Sequence, residues 1–158
     1  MAPTAPYRLE ILQRLADRIR AIQPPAYHST FLPEHVTIDA RVSLLTEPVG
    51  KPYALVLAVP DGGERRYLGA NQIRDVLAYE VQMVDEADAV SGVAGITRAE
   101  QLAADVEAAI VADISLGGLV VDVKLQPPQV FVGVGSGLVL VVQPLLVTHH
   151  REYGVPYV

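Results

Sequence analysis

The hydrophobic pattern of the chain is organised around the stretch from Thr97 to Tyr153. Leu102, Ala103, Val106, Ala109, Ile110 and Ile114 recur at three- and four-residue spacing, with Arg98, Gln101, Asp105 and Glu107 between them, as in a helix with one buried face. Thr97 and Glu100 have the spacing of a capping box, in which each side chain bonds the other's backbone N–H, so the pattern predicts that the helix starts there. Gly117 and Gly118 are its predicted stop, because glycine enters the left-handed conformation without a Cβ clash. Leu119, Val121, Val123 and Leu125 then alternate with Val120, Asp122, Lys124 and Gln126, the period of a strand with one drier face.

Upstream, Ile11, Leu12, Leu15, Ile19 and Ile22 form the stripe of a first helix, capped near Thr4, with Pro6 in its first turn and Pro24-Pro25 as its stop. A loop follows that gathers Tyr27, His28, Phe31 and His35. Val36, Ile38, Ala40, Val42 and Leu44 alternate with polar residues, predicting a half-buried antiparallel strand. Tyr53 to Val59 is apolar throughout, as in a strand covered on both faces. After the turn signal Asp61-Gly62-Gly63 come a short edge strand (Glu64 to Leu68) and a long one (Ile73 to Val84). In the long strand Ile73, Leu77, Tyr79, Val81 and Met83 share one side, and Arg74, Glu80 and Gln82 the other. Asp85 to Gly95 is acidic, then small, and reads as a mobile loop. Beyond Pro127-Pro128, strands are expected at Val130 to Val134 and Leu138 to His149, with Pro144 implying a bulge or an edge position. The fold class is therefore α/β of the α+β kind: a mixed, mostly antiparallel sheet with two helices packed on one face, in the order helix, three or four strands, helix, three strands.

Composition adds limits. A length of 158 residues suits one domain, 1–158, large enough to fold without a metal or disulfide. Cysteine is absent, and so is tryptophan. The hydrophobic share of 51% with only 6% aromatics and a mean hydropathy of +0.30 means that the apolar mass is Val, Leu, Ala and Ile, which favours sheet core and subunit contact. A net charge of −6 argues against general nucleic-acid binding, which needs a basic surface. Tyr7, Arg8, Glu10 and Arg14 interrupt what a secretion signal would need as an apolar core. Leu138 to Val147 is about half of the ~20 residues required to span a bilayer, and it contains Gln143 and Pro144.

Candidate chemistry is sparse. His149-His150-Arg151-Glu152 carries metal-ligand types, but neighbouring strand residues point to opposite faces, so a solvated strand end is the better account. Tyr27 with His28 and His35 offers an acid/base pair without a nucleophile or acid beside it. Gly133-Val134-Gly135-Ser136-Gly137 precedes a strand, whereas a dinucleotide-binding loop must open a helix. Asp85-Glu86-Ala87-Asp88 spells a helicase-like tetrapeptide, yet no G-x-x-x-x-G-K-[ST] occurs to hold a nucleotide. Neither a G-x-S-x-G elbow nor an H-E-x-x-H pair is present. An enzyme is not expected, and no cofactor or metal is assigned.

The N-terminal helix Leu9-Glu10-Ile11-Leu12-Gln13-Arg14-Leu15, the meandering strands, the second helix, and the closing strands that end on Arg151-Glu152-Tyr153-Gly154-Val155-Pro156-Tyr157 together resemble the tail terminator family of long-tailed bacteriophages, also called minor tail or tail-completion proteins. The resemblance covers most of the chain and is one of order and texture. It implies a virion structural protein of the phage neck, a homo-hexameric ring that caps the major tail tube protein, ends its polymerisation and meets the head-tail connector. DNA would pass through the lumen without specific binding. Asp85, Glu86, Asp88, His149, His150, Arg151, Tyr153 and Tyr157 are the interface candidates. Another neck, head-completion or tail tube protein would read similarly, and a small ligand-binding or enzymatic α/β domain is the reading from a different class.

Overall fold

The stripe of the first helix is realised in α1 (Tyr7–Arg20), which buries Tyr7, Ile11, Leu15, Ala16 and Ile19. Glu10 in its first turn and Arg18 and Arg20 in its last complement the helix dipole. The computed structural model describes residues 7–38, 52–60, 62–69, 71–86, 92–133 and 137–152, without the side chains of 92–94 and 151–152. The expected cap at Thr4 and residues 39–44 of the predicted strand lie outside them. After α1 the chain tightens, Ile22 N–H bonding the Ile19 carbonyl at 3.1 Å, so the helix closes before the two prolines. Phe31 drops into the core, and a 3₁₀ turn (Pro33–His35) leads into β1 (Val36–Ile38).

The remaining elements are β2 (Tyr53–Ala58), β3 (Glu64–Tyr67), β4 (Gln72–Glu86), α2 (Gly92–Val111), β5 (Asp122–Leu125), β6 (Gln129–Val132) and β7 (Leu138–Glu152). They form a seven-stranded sheet ordered β1-β2-β4-β7-β5. Two 15-residue strands, β4 and β7, pair in register over their whole length, from Gln72 opposite Glu152 to Glu86 opposite Leu138. Each is flanked by two short strands laid end to end: β2 and β3 along β4, β5 and β6 along β7. The sheet is antiparallel except for β1, which pairs parallel with β2, Val36 opposite Ala54. This corrects the antiparallel expectation. Alternation specifies which side chains face the core and carries no information on strand direction.

Pro144 is also placed differently from its expectation. β7 lies inside the sheet and its register with β4 has no slip, so there is neither an edge nor a bulge. The Pro144 carbonyl accepts from Gln126 N–H at 3.0 Å, and a residue's N and O point to the same side of a strand. The missing N–H therefore faces the seam between β5, which ends opposite Leu145, and β6, which begins opposite Val142. No ladder bond is lost there.

Both helices pack on one face of the sheet. Ile11, Leu15 and Ile19 from α1 and Leu102, Val106 and Ile110 from α2 meet Tyr79, Val81 and Met83 of β4 and Val141, Leu145 and Val147 of β7 in one buried cluster. On the opposite face Tyr53, Leu55 and Val84 form a small second cluster at one end. The rest of that face carries Val76, Ala78, Val142, Pro144 and Leu146, all half-buried, with Phe131 53% exposed. Among the described residues no helix covers it.

Helix α2 corrects the capping-box reading. It starts at Gly92, so Thr97 and Glu100 lie within it. T-x-x-E fits the wet face of a helix interior as well as a cap, and only the path of the backbone separates the two. The helix ends at Val111, before Ile114 and the two glycines. Its exit is a turn in which Leu116, Gly117 and Gly118 all have positive φ, of 50°, 75° and 86°. A Cβ on Gly117 would lie 2.7 Å from Arg14 Nη1, the group that donates to the Leu116 carbonyl at 2.9 Å.

Asp113 organises this turn, accepting from Ser115 Oγ at 2.7 Å and Gly117 N–H at 2.7 Å and pairing with Arg18 at 2.7 Å. The Ser115 hydroxyl first, then the Gly117 N–H, hold its carboxyl below the usual carboxylate range. A carboxyl depressed in the folded state stabilises it fully above the unfolded pKa and loses that contribution as pH falls through the folded value. Amide protection factors at Gly117 and Gly118 should therefore fall on acidification through the carboxylate range. The same measurement on Asp113→Asn should show low protection with little dependence on pH.

Candidate functional site

The side chains that depart from the alternating pattern mark the site. In β4, Asp75 occupies the buried phase between Ile73 and Leu77, and in β7 His149 follows Val147 in the same phase. The register sets them opposite each other, both facing the helices, at 1% and 5% exposure. Two elements close over them. The first residue of α1, Tyr7, donates its hydroxyl to Asp75 Oδ2 at 2.6 Å and stacks on the His149 ring, with centroids 4.6 Å apart and planes 8° from parallel. From β3, Arg65 donates through Nε to Asp75 Oδ1 at 2.6 Å and through a terminal nitrogen to Oδ2 at 3.1 Å. This two-point geometry is the strongest ion-pair arrangement available to a carboxylate. The hydrogen bonds to Asp75 push the Arg65 guanidinium above its ordinary value, so it stays charged at any working pH.

Beside this cluster lies a cavity of about 560 Å³ on the edge of β4 where β2 has ended and β3 begins. Ala58, Val59, Pro60 and Leu77 give it aliphatic walls, and Arg8, Arg65, Asp75 and Tyr79 its polar groups. The turn before β3 sits hard against β4, since a Cβ on Gly63 would run into the Val76 carbonyl oxygen. Burial pushes the Tyr79 phenol well above its ordinary value, which leaves it a neutral donor.

The residues expected from sequence scatter. Asp85 is buried and paired with Arg98 of α2, which also donates to Ser29 Oγ at 3.1 Å. It ties β4, α2 and the loop after α1 together. Glu86 ends β4, exposed. The expected mobile loop is thus shortened at both ends, because Asp85 and Glu86 complete β4 and Gly92 opens α2; residues 87–91, Asp88 among them, lie outside the described residues. His150 is exposed on the face opposite to His149, as strand alternation requires. The solvated strand end therefore holds for His150 and fails for His149, which Tyr7 covers. Arg151 stands opposite Ile73 and Glu152 opposite Gln72 in the ladder; Tyr153 and Tyr157 lie outside the described residues. His28 N–H bonds Asp105 Oδ1 at 2.9 Å, and His35 is placed by the 3₁₀ turn, so the loop that carries these histidines is pinned to α2. Among the described residues no three of His, Asp and Glu are grouped to hold a metal ion, and no helix is long and apolar enough to cross a membrane.

Sequence patterning placed Tyr79 on the apolar side of the long strand but did not single out Asp75, Tyr7, Arg65 or Tyr79 as site residues. The available signal was phase: a charged residue in the apolar register of a strand needs a partner. No family model matches the chain, and no curated protein matches it.

Proposed function

We propose that this protein is a virion structural subunit of the tail terminator kind, which assembles with copies of itself into a ring, most simply a hexamer, on the end of a phage tail tube. The ring stops tube growth and presents a surface to the head connector. The observation that carries this reading is the helix-free face of the sheet. Val76, Ala78, Val142, Pro144 and Leu146 run across both long strands there, with Lys124 and the pair Gln82 and Glu80, in which Gln82 Nε2 donates to Glu80 Oε1 at 2.7 Å, as polar neighbours. A contiguous aliphatic face of this kind marks a protein contact. Its occupant is a second copy of the chain, because a low-charge face is matched by an equally apolar one and copies of one chain supply it in closed symmetric assemblies. The net acidic charge of −6 suits a lumen through which DNA moves without adhering.

The test is assembly. Light scattering on the purified protein, alone and with tail tube protein, should give a closed oligomer, and added protein should arrest tube elongation in electron micrographs. A strict monomer under both conditions, with unchanged tube lengths, would reject the assignment.

A further inference from the structure

A ring needs two different surfaces on each copy, because a patch that pairs with itself closes a two-fold dimer instead. The helix-free face of the sheet is one surface, and the helices offer two choices for the other. The wet side of α1 is satisfied within the subunit: Glu10 pairs with Arg14, Asp17 with Arg20, and Arg18 with Asp113. That of α2 is not. Ile96, Glu100, Ala104, Glu107 and Val111 are exposed and fall on one stripe of the helix. Ile96 and Val111, at its two ends, are 54% and 57% exposed, where an outward helix face is ordinarily polar. Glu100 and Glu107 have no basic residue three or four positions away, and the ion pairs among the described residues do not include them.

The helix-free face carries the complementary charge. The register sets Arg66 of β3, Arg74 of β4 and His150 of β7 directly opposite one another, all exposed. Like charges in such positions destabilise a sheet, and an acidic partner would relieve them. Glu64 holds Arg66, while Arg74 has no carboxylate within ion-pair distance among the described residues. Lys124, exposed on the same face, stands opposite Leu146, four residues along β7 from His150. The acids there are Glu80, bonded by Gln82, and Asp122, opposite Thr148. Four residues of strand put the Arg74 row and Lys124 about 13 Å apart along the strands. Seven residues of helix separate Glu100 from Glu107 by about 10 Å along the axis, and the long arginine and lysine side chains span the difference.

We infer that α2 of one copy lies along the helix-free sheet face of the next, its Glu100 and Glu107 meeting Arg74 and Lys124 and its apolar positions resting on the aliphatic rows. Each sheet then has helices on both faces, its own on one and its neighbour's on the other, as in a three-layer α/β architecture. The inference rests on the ring reading above and names the surface that the sheet face meets.

Charge reversal tests it by sedimentation velocity, under the condition in which the wild type assembles. Glu100→Arg with Glu107→Arg should weaken self-association about a hundredfold or more, since each new charge faces a like one. Arg74→Glu with Lys124→Glu should do the same. All four changes in one chain should restore the wild-type oligomer, because the charges are then exchanged across the contact. Every position is exposed, so the melting temperature should stay within a few degrees of the wild type and show that the dissociated variants are folded. Unchanged assembly in the α2 variant, or no recovery in the fourfold variant, would overturn the inference. If assembly is lost on changing Val142 and Leu146 but survives the α2 changes, the sheet face remains the contact and only α2 is excluded. A wild type that stays monomeric with and without tube protein would reject the ring and this contact together.

Discussion

Asp75→Ala should lower the free energy of unfolding by about 2–3 kcal/mol, measured by urea denaturation. The change removes the acceptor of a buried tyrosine hydroxyl and the carboxylate of a two-point ion pair. Breaking a fully buried pair costs about 3–5 kcal/mol because the surviving charge is stranded. Here the survivor is Arg65, whose side chain is 40% exposed and stays hydrated, so the lower figure follows. Tyr7→Phe should cost about 1 kcal/mol, and the double variant less than the sum, because both changes delete the same bond. A loss below about 1 kcal/mol for Asp75→Ala would mean that the cluster adds little to stability. The stakes are high for so few residues, since Asp75 joins α1, β3 and β4, and Tyr7 extends the connection to His149 in β7.

Replacing Val142 by Lys and Leu146 by Glu together should convert the proposed oligomer to a monomer while leaving the melting temperature within a few degrees of the wild type. Both positions are half-buried on the helix-free face. Leu146 stands opposite Lys124 of β5, and Val142 opposite Gln82 of β4, so the new charges gain compatible cross-strand neighbours and the sheet tolerates them. An interface built on that face does not, because each charge would be desolvated against an apolar surface. Sedimentation velocity on the double variant checks the outcome. An oligomer of unchanged size and affinity would place the subunit contact elsewhere.

Much of the fold was legible because its elements are long and their periods clear. The two helices were visible as stripes, β4 as a run with one apolar side, whose Tyr79, Val81 and Met83 meet the helices, and β7 as an apolar run whose inward residues the structure identified as Val141, Leu145 and Val147. Errors fell at boundaries and at pairings. The Thr97 capping box lies inside α2, and the exit of α2 is organised by Asp113 and three residues of positive φ rather than by a glycine directly after the last apolar position. Pro144 was read as a sign of a bulge or an edge because a strand's sequence does not say how long its neighbours are. A proline inside the sheet is tolerated here only because β5 and β6 leave a seam opposite it.

The site was less legible, and the reason is distance along the chain. Asp75 and His149 could be seen singly as polar residues in a buried phase. Nothing local joins residue 7 to residue 75 or residue 149; the β4–β7 register and the docking of the first turn of α1 do that. By itself the sequence determined the class of fold, the faces of its helices and long strands, and the shortage of local catalytic motifs, because these follow from periodicity and residue type within windows of a few turns. Only the tertiary structure decided the parallel pairing of β1, the burial of His149, the assembly of the Asp75 cluster and the cavity beside it, because each depends on strand partners that lie far apart in the chain.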